Sequence, residues 1–122
     1  MSVASPPKLR LADQGQWLAW LQEHHQAASG VWLEFAKKNA GISLLTHSEA
    51  LETALCYGWI DGQTKSLDEH FWTQRFIPRK ADSIWSQNNR QSALALIESG
   101  RMQPAGLAAI ERAKANGRWD AA

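Results

Sequence analysis

The sequence has a single cysteine, Cys56, among its 122 residues, and its apolar runs are all short. One cysteine cannot form an internal disulfide, and runs of a few residues cannot cross a membrane as a helix. The first residues also lack the apolar core of a secretory signal peptide. We therefore expect no disulfide framework, no membrane span and a cytoplasmic location.

Motifs for metal binding, phosphate binding and nucleophilic catalysis are missing as well. The four histidines form no H-x-x-x-H pattern, and there is no C-x-x-C pair. The glycines match neither a phosphate loop nor a G-x-S-x-G turn. We expect no built-in metal site and no cofactor, and the sequence assigns no catalytic residue.

Charge is nearly balanced overall, at +1, but it is unevenly distributed along the chain. Residues 1–74 contain five Lys or Arg and eight Asp or Glu, whereas residues 75–122 contain eight and four. A basic C-terminal third favours phosphate or carboxylate partners, although a solvated surface with uneven charge has the same composition. The near-zero net charge and the lack of an RNP, KH or zinc-finger pattern disfavour nucleic acid as a partner.

Tryptophan, in contrast, is abundant, with seven residues in a chain that is 44% hydrophobic and 20% charged. This composition and length suit one globular domain, which we place at residues 9–122 after a flexible tail at residues 1–8. Tryptophan is large and seldom sits wholly inside a small protein. Some of the seven are therefore expected to be half-exposed in a groove or an interface.

Four helix starts are indicated by local signals. Thr46 and Glu49 form the spacing of a capping box. The other starts are Asp13 with Gln16 as its capping partner, Ser83 or Ser86 ahead of a helix that carries Trp85, and Pro104 at the first turn of the last helix. Four glycines are predicted to end the helices: Gly30 as a left-handed C-cap, Gly58, Gly100, and Gly117 as a C-cap.

Three strands are predicted from period-2 alternation and β-branched or aromatic residues. They cover residues 31–36, 59–65 and 70–77, and the last two form a hairpin with a loop at residues 66–69. The simple register places Lys65 opposite His70 and Gln63 opposite Trp72. One face then carries Trp59, Asp61, Gln63, Trp72, Gln74 and Phe76, and a slip of one residue would exchange the faces on one strand.

The expected fold class is α+β. Because the strands include a hairpin and are separated by helices, we predict a small, mainly antiparallel three-stranded sheet with about four helices packed against it.

Asp61 is the most informative carboxylate in the sequence. It follows Trp59 on the predicted core side of a strand, where a half-buried acid requires a partner. Arg75, Arg79 and Arg101 are the candidate partners. A structural ion pair is one interpretation, and a ligand contact or general base is the other.

A second set of residues surrounds Arg79 and Trp85. Arginine offers a planar fork for carboxylate or phosphate, tryptophan stacks on rings, and Asn88 can bind an amide or a base edge. A charged helix cap beside a core tryptophan is the alternative. The candidate ligand-binding residues are therefore Trp59, Asp61, Trp72, Arg75, Arg79, Trp85, Asn88 and Arg101.

One run, ALCYGWIDG at residues 54–62, resembles the signature of the YdeI/OmpD-associated (bacteriocin-protection) family. Three further segments resemble that family in the same order: residues 77–86, 100–106 and 113–120. The resemblance covers roughly residues 16–120 and implies a bacterial protein linked to bacteriocin or antimicrobial-peptide protection. It implies no reaction or ligand, and family members usually continue after GRWD into a helical segment rich in Ala, Lys and Arg.

The function expected from these features is a small binding domain with a tryptophan-lined, arginine-rimmed cleft. Its ligand is a small anionic or aromatic molecule, or an acidic protein segment. One alternative is an enzyme in which Asp61 is the base and Arg79 or Arg101 stabilises developing negative charge. Another is a docking module whose tryptophans anchor an interface.

Overall fold

A computed structural model describes residues 8–121; residues 1–7 and Ala122 lie outside the described residues. Its strands are β1 (Lys8–Leu9), β2 (Val31–Ala36), β3 (Trp59–Ser66) and β4 (Phe71–Pro78), and its helices are α1 (Gln14–His24), α2 (His47–Cys56), α3 (Gln87–Glu98) and α4 (Pro104–Ala115). A short 3₁₀ turn spans Lys38–Ala40. Of the tail predicted at residues 1–8, residues 1–7 lie outside the described residues, and the prediction is wrong at Lys8, which belongs to β1.

The strands form one mixed sheet in the order β1-β2-β4-β3. β1 pairs with β2 in parallel, and the other two pairings are antiparallel. The α+β class and the four helices are confirmed, but the prediction of three strands is wrong by one. The extra strand has two residues, which are too few to show any periodicity, and it forms only because α1 returns the chain beside it.

The β3–β4 hairpin contains a bulge that the simple register did not include. Asp61 lies opposite Phe76 and Thr64 opposite Gln74, so β3 has one residue more than β4 in this interval. Gly62 lies inside the bulge, where the lack of a side chain eases the local bend.

The bulge and the loop together make the predicted pairing wrong. The Asp68 carboxylate accepts hydrogen bonds from the backbone N–H groups of His70 and Phe71, at 2.8 and 3.0 Å, which places the loop at residues 67–70. Lys65 consequently lies opposite Thr73 rather than opposite His70. Gln63 leaves the predicted face, and Thr64 shares that face with Gln74 instead.

The core lies between one face of the sheet and a helical layer centred on α2. β2 alternates strictly, with Val31, Leu33 and Phe35 buried and the residues between them half-buried. α2 packs against β3, and the other three helices pack against α2. Trp17 is fully buried at the centre, where its indole Nε1 donates to the Ala50 carbonyl at 3.0 Å.

The seven tryptophans are either buried or half-buried. Trp17, Trp59, Trp85 and Trp119 are buried. The other three, Trp20, Trp32 and Trp72, are half-buried, as expected from the sequence.

Helix starts follow the predicted caps closely. Both hydrogen bonds of the Thr46–Glu49 capping box are formed. The Asp13 carboxylate accepts from the Gln16 backbone N–H at 3.0 Å, and Pro104 is the first residue of α4. These signals act within one helical turn, so the helix starts that they specify do not depend on distant residues.

The start of α3 is capped by Ser86, the second of the two predicted serines. Ser86 is the N-cap and accepts from the Asn89 backbone N–H at 3.1 Å. Trp85 therefore precedes the helix, and the prediction that α3 carries it is wrong. Ser83, the other candidate, instead contacts Arg79.

Three of the four glycines predicted to end helices have left-handed backbone geometry. Gly58, Gly100 and Gly117 have φ values of 74°, 78° and 80°. Gly30 does not have a positive φ, so its prediction as a left-handed cap is wrong. A Cβ there would lie 3.1 Å from Ile77 Cγ2, so this glycine instead permits a close approach to β4.

Candidate functional site

The eight predicted site residues do not line a single cleft. Asp61 and Trp72 lie near His47, while the immediate neighbours of Arg79 are Trp59 and Trp85. The remaining three are dispersed: Arg75 pairs with Trp32 on the face away from the core, Asn88 is exposed on α3, and Arg101 is exposed and forms an ion pair with Glu52 at 3.2 Å.

Arg79 is the most unusual of these residues because its charged side chain is 7% exposed. It follows β4 directly, and its backbone N–H donates to the Gly58 carbonyl at 2.9 Å. Its Nη1 donates to Ser83 Oγ at 3.0 Å, and its guanidinium carbon lies 3.6 Å from the centroid of the Trp85 ring. Its Nε and Nη2 are buried without a hydrogen-bond partner among residues 8–121.

The electrostatics of Arg79 follow from this burial. Loss of solvation lowers the pKa of Arg79 to about 10, and the negative charge of Asp61 only partly opposes that shift. Arg79 forms no salt bridge with a carboxylate in the described part of the chain. Its Nε–H and Nη2–H groups form one edge of the guanidinium, which is the edge that binds a carboxylate or phosphate through two parallel hydrogen bonds.

Arg79 borders a cavity of about 250 Å³, which adjoins a second one of about 520 Å³. The two share four lining residues and are described together as the Arg79 groove. The groove is lined by Gln22, His25, Gln26, Tyr57, Gly58, Trp59, Pro78, Arg79, Gln103, Pro104, Ala105, Ala108, Ala109 and Arg112. Two arginines and a histidine are in this lining, and neither Asp nor Glu is.

Small residues bring α4 close to the turn after α2 and so shape the groove. A Cβ on Gly58 would lie 3.0 Å from the Ala105 carbonyl oxygen and 3.2 Å from Ala109 Cβ. The α4 N-cap, Gln103, makes no side-chain capping hydrogen bond. The first N–H groups of α4 therefore add partial positive charge to this side of the groove.

Tyr57 and His25 give the groove further polar groups. Burial raises the pKa of the Tyr57 phenol, and a hydrogen bond with Gln22 opposes the shift. Tyr57 is consequently a neutral hydroxyl donor near neutral pH. The His25 ring lies 4.8 Å from the Tyr57 ring, and its Nδ1 is 2.7 Å from the Leu21 carbonyl oxygen.

Asp61 has a histidine partner rather than an arginine partner. Its Oδ2 lies 3.2 Å from His47 Nε2 and accepts from Gln74 Nε2 at 3.3 Å. The predicted pairing with Arg75, Arg79 or Arg101 is wrong in this respect. Arg75 is on the other sheet face and Arg101 pairs with Glu52, while Asp61 acts on Arg79 through its charge without a salt bridge.

Sequence reasoning missed His47 as a functional candidate. The residue follows the Thr46 N-cap, so the local sequence pattern indicates only a position within the capping box. Its contact with Asp61 depends on the packing of α2 against β3. A short-range sequence pattern cannot predict a contact of this kind.

Cys56 is a buried free thiol. It is 2% exposed, and burial raises the pKa of its thiol, which keeps it protonated. Across residues 8–121, no three His, Cys, Asp or Glu side chains gather closely enough to hold a metal ion.

A family model described as a domain of unknown function, DUF8412, matches residues 9–109. The chain belongs to the DUF8412 family. Searches of curated proteins and of solved structures give no match. In this DUF8412 chain the matched region includes the whole Arg79 groove except Arg112. None of the helices between residues 8 and 121 has the length and apolarity needed to cross a membrane.

Proposed function

We propose that this DUF8412 chain binds a small carboxylate- or phosphate-bearing ligand in the Arg79 groove. One observation carries the proposal: Arg79 is buried, and its Nε–Nη2 edge has no partner among the described residues. A buried cation without an acid is destabilising, and an anion that accepts from both N–H groups removes that cost.

The rest of the groove supports the same class of ligand. Arg112 and the start of α4 add positive charge, and the Tyr57 hydroxyl adds a donor. Neither Asp nor Glu lines the groove, so the repulsion that an anion meets at Arg79 comes from outside the lining, from Asp61. Cavities of about 250 and 520 Å³ suit a small molecule rather than a long protein segment.

The cellular role proposed with this activity is protection against bacteriocins or antimicrobial peptides in the cytoplasm of a bacterium. Its support is the resemblance of the ALCYGWIDG run to the YdeI/OmpD-associated family. Deleting the gene should sensitise the cell to such peptides, and wild-type protein should restore tolerance where Arg79→Met does not. Unchanged sensitivity after deletion would rule out this role while leaving ligand binding open to its own test.

Binding is tested by titrating the purified protein with sulfate, inorganic phosphate and benzoate, using calorimetry and tryptophan fluorescence. We expect saturable binding of at least one of the three. Arg79→Met should weaken it by at least about tenfold, because a bidentate charge-assisted contact is lost. Arg101→Ala is the matched control, since it removes an equal charge that is exposed and already paired with Glu52.

Two results would contradict the proposal. Equal weakening by Arg79→Met and Arg101→Ala would indicate a general charge effect rather than a site. Undiminished binding by a folded Arg79→Met protein, with a wild-type circular dichroism spectrum, would place the anion elsewhere.

A further inference from the structure

A separate cavity of about 500 Å³ lies beside His47 and shares no lining residue with the Arg79 groove. Phe35 and Trp72 provide aromatic walls, and the loop at residues 42–46 closes another side. We name this cavity the His47 pocket. Neither Asp nor Glu lines it, whereas Lys37 and Lys38 do.

The imidazole of His47 is held from outside the pocket. Its Nε2 is 3.2 Å from Asp61 Oδ2, so the carboxylate fixes the tautomer that carries its proton on Nε2. Asp61 is itself oriented by Gln74, whose Nε2 also donates to the Gly62 carbonyl at 3.0 Å. The other ring nitrogen of His47, Nδ1, has a lone pair and no hydrogen-bond partner within residues 8–121.

His47 is accessible and lies among aromatic rings. Its side chain is 38% exposed, against 26% for Asp61. Its ring centroid is 5.9 Å from those of Phe35 and Trp72, and the latter two are 4.7 Å apart. A planar aromatic ligand is the class of molecule that fits beside such walls.

Two lysines give the pocket positive charge. The Lys37 ammonium is fixed by donating to Ser66 Oγ at 3.0 Å and to the Asp68 carbonyl at 2.6 Å. Lys38 is exposed at the rim. Opposite charges close to a titrating group favour its ionised form, so these two cations favour loss of a proton by a ligand in the pocket.

We propose that the His47 pocket binds a small aromatic molecule bearing an acidic O–H group and that His47 accepts its proton. The ligand O–H bond breaks, its electron pair remains on the ligand oxygen, and an N–H bond forms at Nδ1. The resulting imidazolium faces Asp61, and the ligand anion faces the lysines. Asp61 is then a positioning residue that acts through His47, rather than the base that the sequence suggested.

The probe for this proposal is para-nitrophenol, because its phenolate absorbs visible light and its phenol does not. Wild-type protein should bind it saturably and shift its ionisation midpoint downward by about one pH unit or more. His47→Gln should abolish the shift. Asp61→Asn should leave affinity within about tenfold but reduce the shift, since an amide still accepts from Nε2–H without supplying negative charge.

Arg79→Met is the control that separates this pocket from the Arg79 groove, and it should leave para-nitrophenol binding unchanged. Lack of saturable binding, or a shift retained by a folded His47→Gln protein, would overturn the proposal. Nitrogen NMR gives a second readout on the unmodified protein. A free-protein spectrum with the His47 proton on Nδ1 would also overturn it, whereas Nε2–H alone, becoming doubly protonated with the probe, supports it.

Discussion

The guanidinium of Arg79 stacks on the indole of Trp85, with 3.6 Å between the Arg79 Cζ and the ring centroid. Trp85 also contacts Trp119, at 5.0 Å between ring centroids, and its backbone N–H donates to the Arg118 carbonyl at 3.2 Å. The end of β4 is thereby joined to the C-terminal segment. A desolvated cation–π contact is worth about 2 kcal/mol, which offsets only part of the cost of burying an arginine.

Replacing Arg79 by methionine should keep or raise the free energy of unfolding, because it removes an unpaired buried charge and fills similar volume. Urea denaturation measures the change. Arg90→Met is the contrasting variant: the Arg90 Nη1 donates to the Trp119 carbonyl at 2.6 Å, and losing that bond should cost about 1–3 kcal/mol. A larger loss for Arg79→Met than for Arg90→Met would identify Arg79 as a structural residue.

The pH dependence of sulfate binding follows from the burial of Arg79. Burial lowers the pKa of Arg79 to about 10, and a bound anion raises it again because it favours the charged form. Binding is therefore fully present below about pH 10 and should weaken about tenfold per pH unit above it. Sulfate keeps its charge over this range, so calorimetry at increasing pH reports the protein alone. A loss of affinity already near neutral pH would contradict the assignment of the binding charge to Arg79.

Gly106→Ala should destabilise the domain by about 1–3 kcal/mol, as overpacking does. A Cβ at this position would collide with the Cys56 carbonyl oxygen and Met102 Sδ, where α4 meets the end of α2. Gly15→Ala is the matched control in α1, since its Cβ would find only Asp13 Oδ1, at 3.4 Å, and alanine favours the helix. Thermal unfolding should order the proteins as Gly15→Ala above wild type above Gly106→Ala. Equal melting temperatures for the two variants would show that α4 moves away freely.

Thr46→Ala should cost about 1 kcal/mol of unfolding free energy because α2 loses its capping hydroxyl. Thr46→Ser retains the hydroxyl, which accepts from the Glu49 N–H at 3.2 Å in the wild type, and should stay close to wild type. Urea denaturation of the two variants tests the cap. Indistinguishable stabilities would show that packing of α2 alone fixes its start.

The sequence predicts those parts of the fold whose causes are local. The Thr46–Glu49 capping box and Pro104 specify helix starts within a single turn, and the alternation in β2 predicts which residues are buried. β1 is different because Lys8 and Leu9 form a strand only when α1 places β2 beside them. Its pairing energy comes from a neighbour more than twenty residues away along the chain.

The candidate site divides in the same way. Arg79 and Trp85 are close in sequence, and their side chains contact each other directly, with no ligand between them. His47 and Asp61 are brought together by the packing of two elements and by the position of Asp61 just before the bulge. The lack of a partner for the Nε–Nη2 edge of Arg79 also cannot be predicted from the sequence. It depends on where the Asp and Glu side chains lie in the folded chain.

The bulge at Gly62 and Gln63 determines on which face of the sheet Lys65 lies. In a ladder without the extra residue, alternation from Asp61 would place Lys65 opposite Trp72, beside the His47 pocket. The additional residue turns Lys65 to the opposite face, where its ammonium lies 4.9 Å from the centroid of the Trp32 ring. The charge pattern of this hairpin is therefore set by the number of residues in β3 as well as by their identity.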